Sequence, residues 1–326
     1  MHNSAPWIVS RPAIKTLDCT IRDGGLINNH KFTDEFVRAA YNACIAAGVD
    51  YMEMGYKGSA KQFSRKDYGA MRFCEEEDLI RIIGKHDTEA TGLKLVAMAD
   101  AGKSEWQKFV PKKDSALSMI RVAFYAHQLT EALEMIQHVH DLGYETSANL
   151  MSVSVLSNAE IDTVLEAVAQ SQAGTMVIVD SFGHLYREQI DQLYTRFAAA
   201  LKGTNKEIGI HAHNNLQLAF SNTIDAIIHG ANRVDATMGG LGRGAGNCPM
   251  EILLSFLRNP KYKLLPVIEM LQHHIEPLRE TLDWGPSIPY IITGSMNRHP
   301  KVAMDFLVSP DKKNLIGFYE KNVTLE

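Results

Sequence analysis

The sequence predicts a (β/α)8 barrel (TIM barrel) with a small C-terminal helical extension. Eight short apolar runs rich in Val, Ile and Met recur along the chain, and their starts lie 25 to 44 residues apart. Such spacing leaves room for a crossover helix but not for a hairpin, so the strands should be parallel. Eight such units are enough to close a barrel. The predicted strands are 14–21, 49–55, 93–99, 118–125, 145–151, 175–180, 207–213 and 233–238.

Helical periodicity fills the gaps between these strands. The segment 33–48 begins with Thr33 and Asp34, which favour a helix start, and ends at Gly48, which favours a helix stop. The same apolar pattern recurs at 130–143, 157–171 and 216–230. A doubly wound open sheet is the alternative, but even spacing favours closure, and no G-x-G-x-x-G motif follows the first strand.

The chain divides into a catalytic barrel domain, 1–258, and an extension, 259–326. Within the first, strands and helices of the barrel occupy about 14–258. The extension opens with an amphipathic helix over 263–284 and continues with further helix-like segments. We expect these helices to pack on the barrel or on a partner subunit.

Composition excludes several classes of protein. The 326 residues carry 33 Lys and Arg against 38 Asp and Glu, a formal net charge of −5, without a basic stripe, which argues against nucleic acid as a partner. No stretch approaches the roughly 20 apolar residues of a membrane span, and residues 1–15 hold no apolar core of a secretory signal. Four cysteines without C-x-x-C spacing indicate reduced thiols. These features predict a cytoplasmic protein that does not bind membranes.

Polar residues follow three of the predicted strands at the carboxyl end, where such barrels carry their active sites. His211 and His213 lie two residues apart on a strand, so both imidazoles should point to the same side. Asp23 ends strand 1 and offers an anionic oxygen. Together they suit a divalent metal ion. The alternative is one core and one surface histidine.

Three further features lie close to this predicted metal site. Arg22 could stabilise an enolate oxygen, because its charge persists at any working pH, or could pair with Asp180 or Glu53. The glycine-rich loop 239–247 could hold an anion or be a tight turn. Asn247 could be a fourth ligand, a donor beside the ligands, or a helix cap.

Other polar residues at strand ends either line the site or form the polar layer that closes a barrel mouth. They are Glu53, Tyr56, Arg121, Asn149, Asp180 and Ser181. Candidates for acid–base work are His30, His127, His184, His299 and Tyr290.

Three motifs in this order carry a family resemblance: DCTIRDGG at 18–25, HAHNN at 211–215 and GGLGRGAGN at 239–247. The chain resembles the DRE-TIM metallolyase superfamily, which includes HMG-CoA lyase, isopropylmalate synthase and 4-hydroxy-2-oxovalerate aldolase, over about residues 14–258. GLGRGAGNCPME and the helical extension are most similar to the 4-hydroxy-2-oxoacid aldolases.

The resemblance implies a TIM barrel that holds Mn²⁺ or Mg²⁺, with Co²⁺ or Zn²⁺ as alternatives, on Asp23, His211 and His213. Asn247 matches a position that ligates metal in the lyase branch. It further implies that Arg22 stabilises the enolate and that Ser181 helps to hold the substrate carboxylate. The aldolases carry a histidine base where this chain has Leu26, which leaves His30, Tyr290 or metal-bound water as the base.

The predicted function is therefore a metal-dependent aldolase that acts on a 2-oxoacid. Arg22, His30 and Tyr290 are its predicted catalytic residues, while Arg22, Ser181, Glu53, Arg121 and Asn149 should bind substrate. Two alternatives stay open: an acyl-CoA-dependent Claisen condensation or HMG-CoA-type lyase, and a catalytically silent barrel that serves as a binding or assembly subunit. We expect a homo-oligomer, and a dehydrogenase that receives the aldehyde is the partner to consider.

Overall fold

Eight parallel strands form a closed barrel in the computed structural model, which describes residue 11 and residues 13–323. The strands follow chain order around the barrel, and β1 closes it on β8 with Lys15 opposite Arg233. The predicted fold class is thus confirmed. The strands are β1 (Lys15–Asp18), β2 (Tyr51–Tyr56), β3 (Lys94–Asp100), β4 (Met119–Phe124), β5 (Glu145–Leu150), β6 (Thr175–Asp180), β7 (Glu207–Ala212) and β8 (Arg233–Ala236).

The first strand is shorter than the predicted 14–21, and that part of the prediction is wrong. The carboxylate of Asp18 accepts hydrogen bonds from the backbone N–H of Thr20 at 3.1 Å and from its hydroxyl at 2.6 Å. Such side-chain bonds compete with the strand ladder and turn the chain into a helical turn, α1 (Thr20–Gly24). As a result, Arg22 and Asp23 lie on a buried helical turn above the strand.

Helices cover the outside of the barrel and continue beyond it. The helix predicted over 33–48 forms as Asp34–Ala47, with its first turn capped by Thr33 and a left-handed Gly48 at its end (φ 74°). The helices that follow α1 are α2 (Asp34–Ala47), α3 (Glu76–Ile83), α4 (Thr88–Thr91), α5 (Leu129–Asp141), α6 (Asn158–Gln170), α7 (Arg187–Ala200), α8 (Ala219–Ile228), α9 (Met250–Leu257), α10 (Leu265–Met270), α11 (Glu276–Leu278), α12 (Ile288–Ser295), α13 (Lys301–Leu307) and α14 (Leu315–Val323).

The extension after the barrel is helical, as predicted, although the helix predicted over 263–284 is broken. Its α10 passes through one π-helical turn, Leu271–Ile275, into the short α11. Val267, Met270 and Trp284 are buried in the same hydrophobic core as the barrel. The extension therefore packs on the barrel of its own chain.

Two further observations concern the chain as a whole. No helix in the described part of the chain combines the length and the apolar character that crossing a membrane would require. Cys19, Cys44, Cys74 and Cys248 are all free and buried. The residues used to predict the absence of a secretory signal, 1–15, lie largely outside the described part of the chain.

Candidate metal centre and active site

Three buried side chains, from the first and the seventh βα units, meet at the carboxyl ends of the barrel strands. Asp23 Oδ2 lies 3.5 Å from His211 Nε2 and 3.7 Å from His213 Nε2. The two imidazole centroids are 4.9 Å apart, although 188 residues separate Asp23 from His211 along the chain. The candidate ligand atoms all lie within 4.8 Å of one another. The structure therefore brings together the three residues predicted to bind metal.

The hydrogen bonds behind the two imidazoles determine which nitrogens face Asp23. His211 Nδ1 lies 3.0 Å from the carboxylate of Asp235, and His213 Nδ1 lies 3.1 Å from the carbonyl oxygen of Asp180. Each Nδ1 is thus the protonated donor, which leaves the lone pair on Nε2. Both Nε2 atoms are buried and accept no hydrogen bond from a described residue. Two imidazole lone pairs beside one carboxylate fit a divalent cation.

Burial and neighbouring charges shift the pKa of each of the three ligand candidates. Burial opposes ionisation of Asp23, but Arg22, His213 and His211 together outweigh it and hold the pKa of that carboxyl well below its usual value. Burial lowers the pKa of His213 to about 3, so its imidazole is neutral at ordinary pH. Burial also acts to lower the pKa of His211, but hydrogen bonds to Asp23 and Asp235 outweigh this effect and raise that pKa.

Arg22 is held in place from two sides. Its Nη1 donates to Asp23 at 2.5 Å and its Nε to Glu53 at 2.7 Å. Of the two pairings predicted as alternatives, the one with Glu53 is therefore formed. The remaining nitrogen, Nη2, donates to no described residue, and the side chain lines the cavity at the barrel mouth. Arg22 accordingly offers one free N–H edge beside the three metal-ligand candidates.

Glu53 and Arg121 lie beneath the cavity and do not line it. Arg121 donates to Glu53 at 3.2 Å and to Asp235 at 2.6 Å, and both arginine and glutamate are almost completely buried. Asp235 in turn holds His211. Glu53, Arg121 and Asp235 fill this buried layer. From there they can hold the residues of the site in place, but Glu53 and Arg121 do not reach the cavity for the predicted contact with substrate.

These contacts close a ring of alternating charges under the metal-ligand candidates. Asp235, the member of the ring on β8, is not among the residues predicted from the sequence. Its signal is a lone charged residue in an otherwise apolar predicted strand, RVDATM, and such a residue requires a buried partner. The ring runs through Asp23, Arg22, Glu53, Arg121, Asp235 and His211.

Asn149 and Ser181 do line the cavity, which has a volume of about 160 Å³. With its amide oriented to satisfy its neighbours, Asn149 accepts from Arg121 Nη2 at 2.7 Å and donates to Ser147 at 2.6 Å. Ser181 Oγ accepts from the backbone N–H of Ser152 at 2.9 Å, which leaves its own hydroxyl proton free to donate. Both positions are compatible with contact to a small bound molecule.

Asn247 packs directly against the metal-ligand candidates under the glycine-rich loop. Its Nδ2 donates to the carbonyl of Leu241 at 3.3 Å, and its buried Oδ1 has no described partner. A Cβ at Gly242 would lie 2.1 Å from Asn247 Nδ2 and 2.8 Å from Asp23 Oδ1. The backbone N–H of Arg243 donates to the same Asp23 Oδ1 at 3.1 Å. The loop thus fixes Asp23 from above.

Neither predicted base lines the cavity. His30 is buried behind Arg22, with Nε2 3.1 Å from the Arg22 carbonyl oxygen, and burial followed by the charge of Arg72 lowers its pKa to about 3. Tyr290, on α12, lines a neighbouring cavity with Asn214, and burial raises its pKa to about 12. Leu26 lines the cavity that holds Asp23. The structure thus separates both residues from the predicted reaction site.

Comparison with known proteins places this geometry in a family. The model of the HMGL-like family matches residues 13–274. The chain belongs to the HMGL-like family. A curated relative, 4-hydroxy-2-oxovalerate aldolase of Geobacillus genomosp. 3, is 32% identical over 278 residues, which cover 83% of this chain and 79% of the relative.

Solved structures agree with this assignment. The N-terminal domain of a putative aldolase from Bacteroides vulgatus superposes with a TM-score of 0.76 at 26% identity, covering 93% of this chain and 100% of that one. Hydroxymethylglutaryl-CoA lyase from Pseudomonas aeruginosa gives 0.66 at 15% identity, covering 82% and 94%, and so shares the fold. With the relatives' names, this HMGL-like protein is an enzyme of the aldolase type, a carbon–carbon lyase.

Proposed function

We propose that this HMGL-like protein is a divalent-metal-dependent aldolase that cleaves a 4-hydroxy-2-oxoacid into a pyruvate-type 2-oxoacid and an aldehyde, or catalyses the reverse condensation. One observation carries the proposal: the buried ligand atoms of Asp23, His211 and His213 converge beside a free edge of Arg22 in one small cavity. The curated relatives named 4-hydroxy-2-oxovalerate aldolase support the substrate class.

The proposed metal site uses Asp23, His211 and His213, with Asn247 as the neighbouring amide. When bound there, Mn²⁺ or Mg²⁺, with Co²⁺ and Zn²⁺ as alternatives, supplies Lewis acidity to a keto oxygen. Arg22 Nη2 donates to the oxygen on which enolate charge develops, and Ser181 donates to the substrate carboxylate. The ring through Glu53 and Arg121 keeps Arg22 aligned without reorganisation during the reaction.

Retro-aldol cleavage requires that the 4-hydroxyl lose its proton while the C3–C4 bond breaks and its electron pair forms the enolate. His30 and Tyr290 do not line the cavity, so we assign the proton acceptor to water admitted there. His30 then serves to hold the Arg22 backbone through its hydrogen bond to the Arg22 carbonyl. Leu26 and Tyr56 line the same cavity and give it an apolar and an aromatic wall.

The decisive experiment is turnover of 4-hydroxy-2-oxovalerate by the Mn²⁺-loaded protein, with and without a chelator. We expect chelation and Asp23→Asn each to abolish cleavage. Asp162→Asn is the matched control, because Asp162 pairs with Arg196 at 2.6 Å on the surface as Asp23 pairs with Arg22 in the site. Cleavage that is indifferent to chelation would remove the proposed mechanism, and turnover only with an acyl-CoA would favour the Claisen or HMG-CoA-type reaction.

Assembly is a separate proposal. Several apolar side chains of the extension are exposed, among them Leu265 (66%), Val308 (86%) and Ile316 (74%). We propose that they form an interface of a homo-oligomer, with a dehydrogenase as the partner that would take up the reactive aldehyde. Light scattering would show a multiple of 36.3 kDa.

We also propose a cytoplasmic location, based on the four free cysteines.

A further inference from the structure

Arg72 is a buried cation without a counterion in the described part of the chain. It ends the short helical turn Ala70–Arg72 after β2, and it is 6% exposed. Its side chain makes no ion pair or hydrogen bond with a described residue, and its Nε is fully buried without a partner. Arginine is almost never buried unless it is paired, because burial removes the hydration of its charge. The carboxylates of the described residues therefore leave this cation unpaired, and a bound anion would satisfy it.

Aromatic rings hold the Arg72 guanidinium in a fixed orientation. Its central carbon lies 3.7 Å from the centroid of Phe63 and 4.4 Å from that of Tyr56. Contacts of this kind satisfy the faces of the planar group but leave its N–H edge free. The result is a preorganised fork that matches a carboxylate or a phosphate.

The fork belongs to the same cavity as the proposed metal site. Arg72 and Arg22 contact the same Tyr56 ring, at 4.4 and 5.9 Å from its centroid, and all three line the cavity. A compound whose 2-oxoacid end occupies Asp23 and Arg22 would thus direct its other end towards Arg72. A separation of one aromatic ring corresponds to a few carbon atoms.

A second cation lies beside Arg72. The backbone N–H groups of the consecutive residues Gly58 and Ser59 donate to the carbonyls of Arg72 and Lys103, at 3.0 and 2.9 Å. This connection brings the backbones of the two residues close together, and both residues line the cavity. Lys103 shares only a long ion pair with Asp100, at 3.4 Å. Asp100 also lines the cavity, so two cations, Arg72 and Lys103, lie with one carboxylate in this part of it.

We propose that the part of the substrate released as aldehyde carries a second anionic group, a carboxylate or a phosphate, which binds the N–H edge of Arg72 with Lys103 beside it. The inference rests on the proposed function for the position of the 2-oxoacid end. It goes beyond that function by defining the substrate class as 4-hydroxy-2-oxoacids with a charged distal end.

The test measures binding by isothermal titration to the Mn²⁺-loaded protein. Three probes of similar length differ at the far end: 2-oxovalerate ends in a methyl group, 2-oxoglutarate in a carboxylate and 2-oxo-4-phosphonobutyrate in a phosphonate. We expect at least one anionic probe to bind roughly tenfold or more tightly than 2-oxovalerate, as a charge-assisted pair provides. The comparison between the two anionic probes distinguishes a carboxylate from a phosphate substrate.

Variants assign the preference to Arg72. In Arg72→Met the ratio of the dissociation constant of 2-oxovalerate to that of the tighter anionic probe should fall towards one. Arg72→Lys keeps a cation against the rings and serves if the methionine variant does not fold. In that variant the same ratio should fall at least threefold. Arg65→Met is the matched control, since Arg65 also covers an aromatic ring, Phe73, but is exposed outside the cavity. Equal binding of all three probes, or a ratio unchanged in both Arg72 variants, would overturn the proposal. Because the readout is binding, failure of the aldolase proposal would be seen separately, as absent or chelator-insensitive cleavage.

Discussion

At the scale of single residues, the site depends on which group accepts the hydrogen bond from Nδ1 of His211 and of His213. A carboxylate, Asp235, holds His211, whereas a backbone carbonyl holds His213. A carboxylate partner makes an imidazole a stronger ligand and fixes its ring orientation. Asp235 is therefore a positioning residue, and it acts on the metal through His211.

Replacing Asp235 by asparagine tests this role. The amide keeps a similar shape but loses the charge that balances both His211 and Arg121, so affinity for Mn²⁺ should fall roughly 10- to 100-fold. The Mn²⁺ electron paramagnetic resonance signal measures free ion directly. Asp191→Asn, in the exposed pair of Asp191 with His229, should leave the affinity unchanged. Equal affinities of wild type and Asp235→Asn would refute the positioning role.

Asp18 gives a prediction about stability and pH. Burial raises the pKa of its carboxyl from 3.8 to about 7, so between these values the folded protein keeps a proton that the unfolded chain has already lost. Stability should consequently fall with rising pH in that window, by about 3 kcal/mol from pH 5 to pH 8.

The measurement for Asp18 compares wild type with Asp18→Asn, which keeps a neutral side chain at every pH. Urea unfolding at pH 5 and pH 8 should show the free energy of unfolding of wild type falling relative to that of the variant. Parallel pH dependence of the two proteins would mean that Asp18 does not carry the proton.

The sequence was sufficient for residues defined by motif and strand position, and insufficient for those defined by long-range contacts. Asp23, His211 and His213 could be predicted because parallel strands bring their carboxyl ends to one rim. Arg72 stands in a connection without a motif, and its meaning depends on Phe63 and Tyr56 packing on it. Such packing is not encoded in spacing, so it was missed.

At the scale of elements, the glycine-rich loop after β8 is the tightest part of the site. A side chain at Gly242 would collide with Asn247 and Asp23 at distances no real contact shows. We expect Gly242→Ala to displace the Asp23 carboxylate and to lower Mn²⁺ affinity and cleavage at least tenfold. Gly174→Ala, whose nearest new contact would be an ordinary 3.6 Å, is the control for titration and assay. Wild-type affinity in Gly242→Ala would show that the loop yields.

Elements were predictable where local chemistry agrees with the fold. Thr33 and Gly48 mark the ends of α2 in sequence and in structure, because capping is local. The end of β1 was extended too far, since hydrogen bonds between Asp18 and Thr20 replace the ladder there. The strand pattern around Asp18 indicates that this residue is buried, but it does not indicate which hydrogen bonds its carboxylate will accept.

At the scale of the whole molecule, the ring of charges and the extension connect parts of the chain that are remote in sequence. The ring joins α1, β2, β4, β8 and β7. Trp284 in the extension donates its indole N–H to Gly239 at 3.2 Å and is buried in the barrel's core. We propose that the barrel, 1–258, and the extension, 259–326, have different functions but fold together as one unit.

That proposal predicts one cooperative unfolding transition for the metal-free protein. Val267, Met270 and Trp284 of the extension share the core of the barrel, and α12–α14 pack in a second cluster that includes Ala245 of the glycine-rich loop, so neither part should melt alone. Scanning calorimetry should give one peak whose calorimetric enthalpy equals the van't Hoff enthalpy, with far-UV circular dichroism following the same curve. Two resolved transitions would show that 259–326 is an independent unit.

The most direct measurement is anomalous diffraction at the manganese edge from crystals grown with Mn²⁺. We predict one strong peak within bonding distance of Asp23 Oδ2, His211 Nε2 and His213 Nε2, and loss of that peak in Asp23→Asn. No anomalous density between these three atoms under saturating Mn²⁺ would contradict the metal site and, with it, the aldolase mechanism.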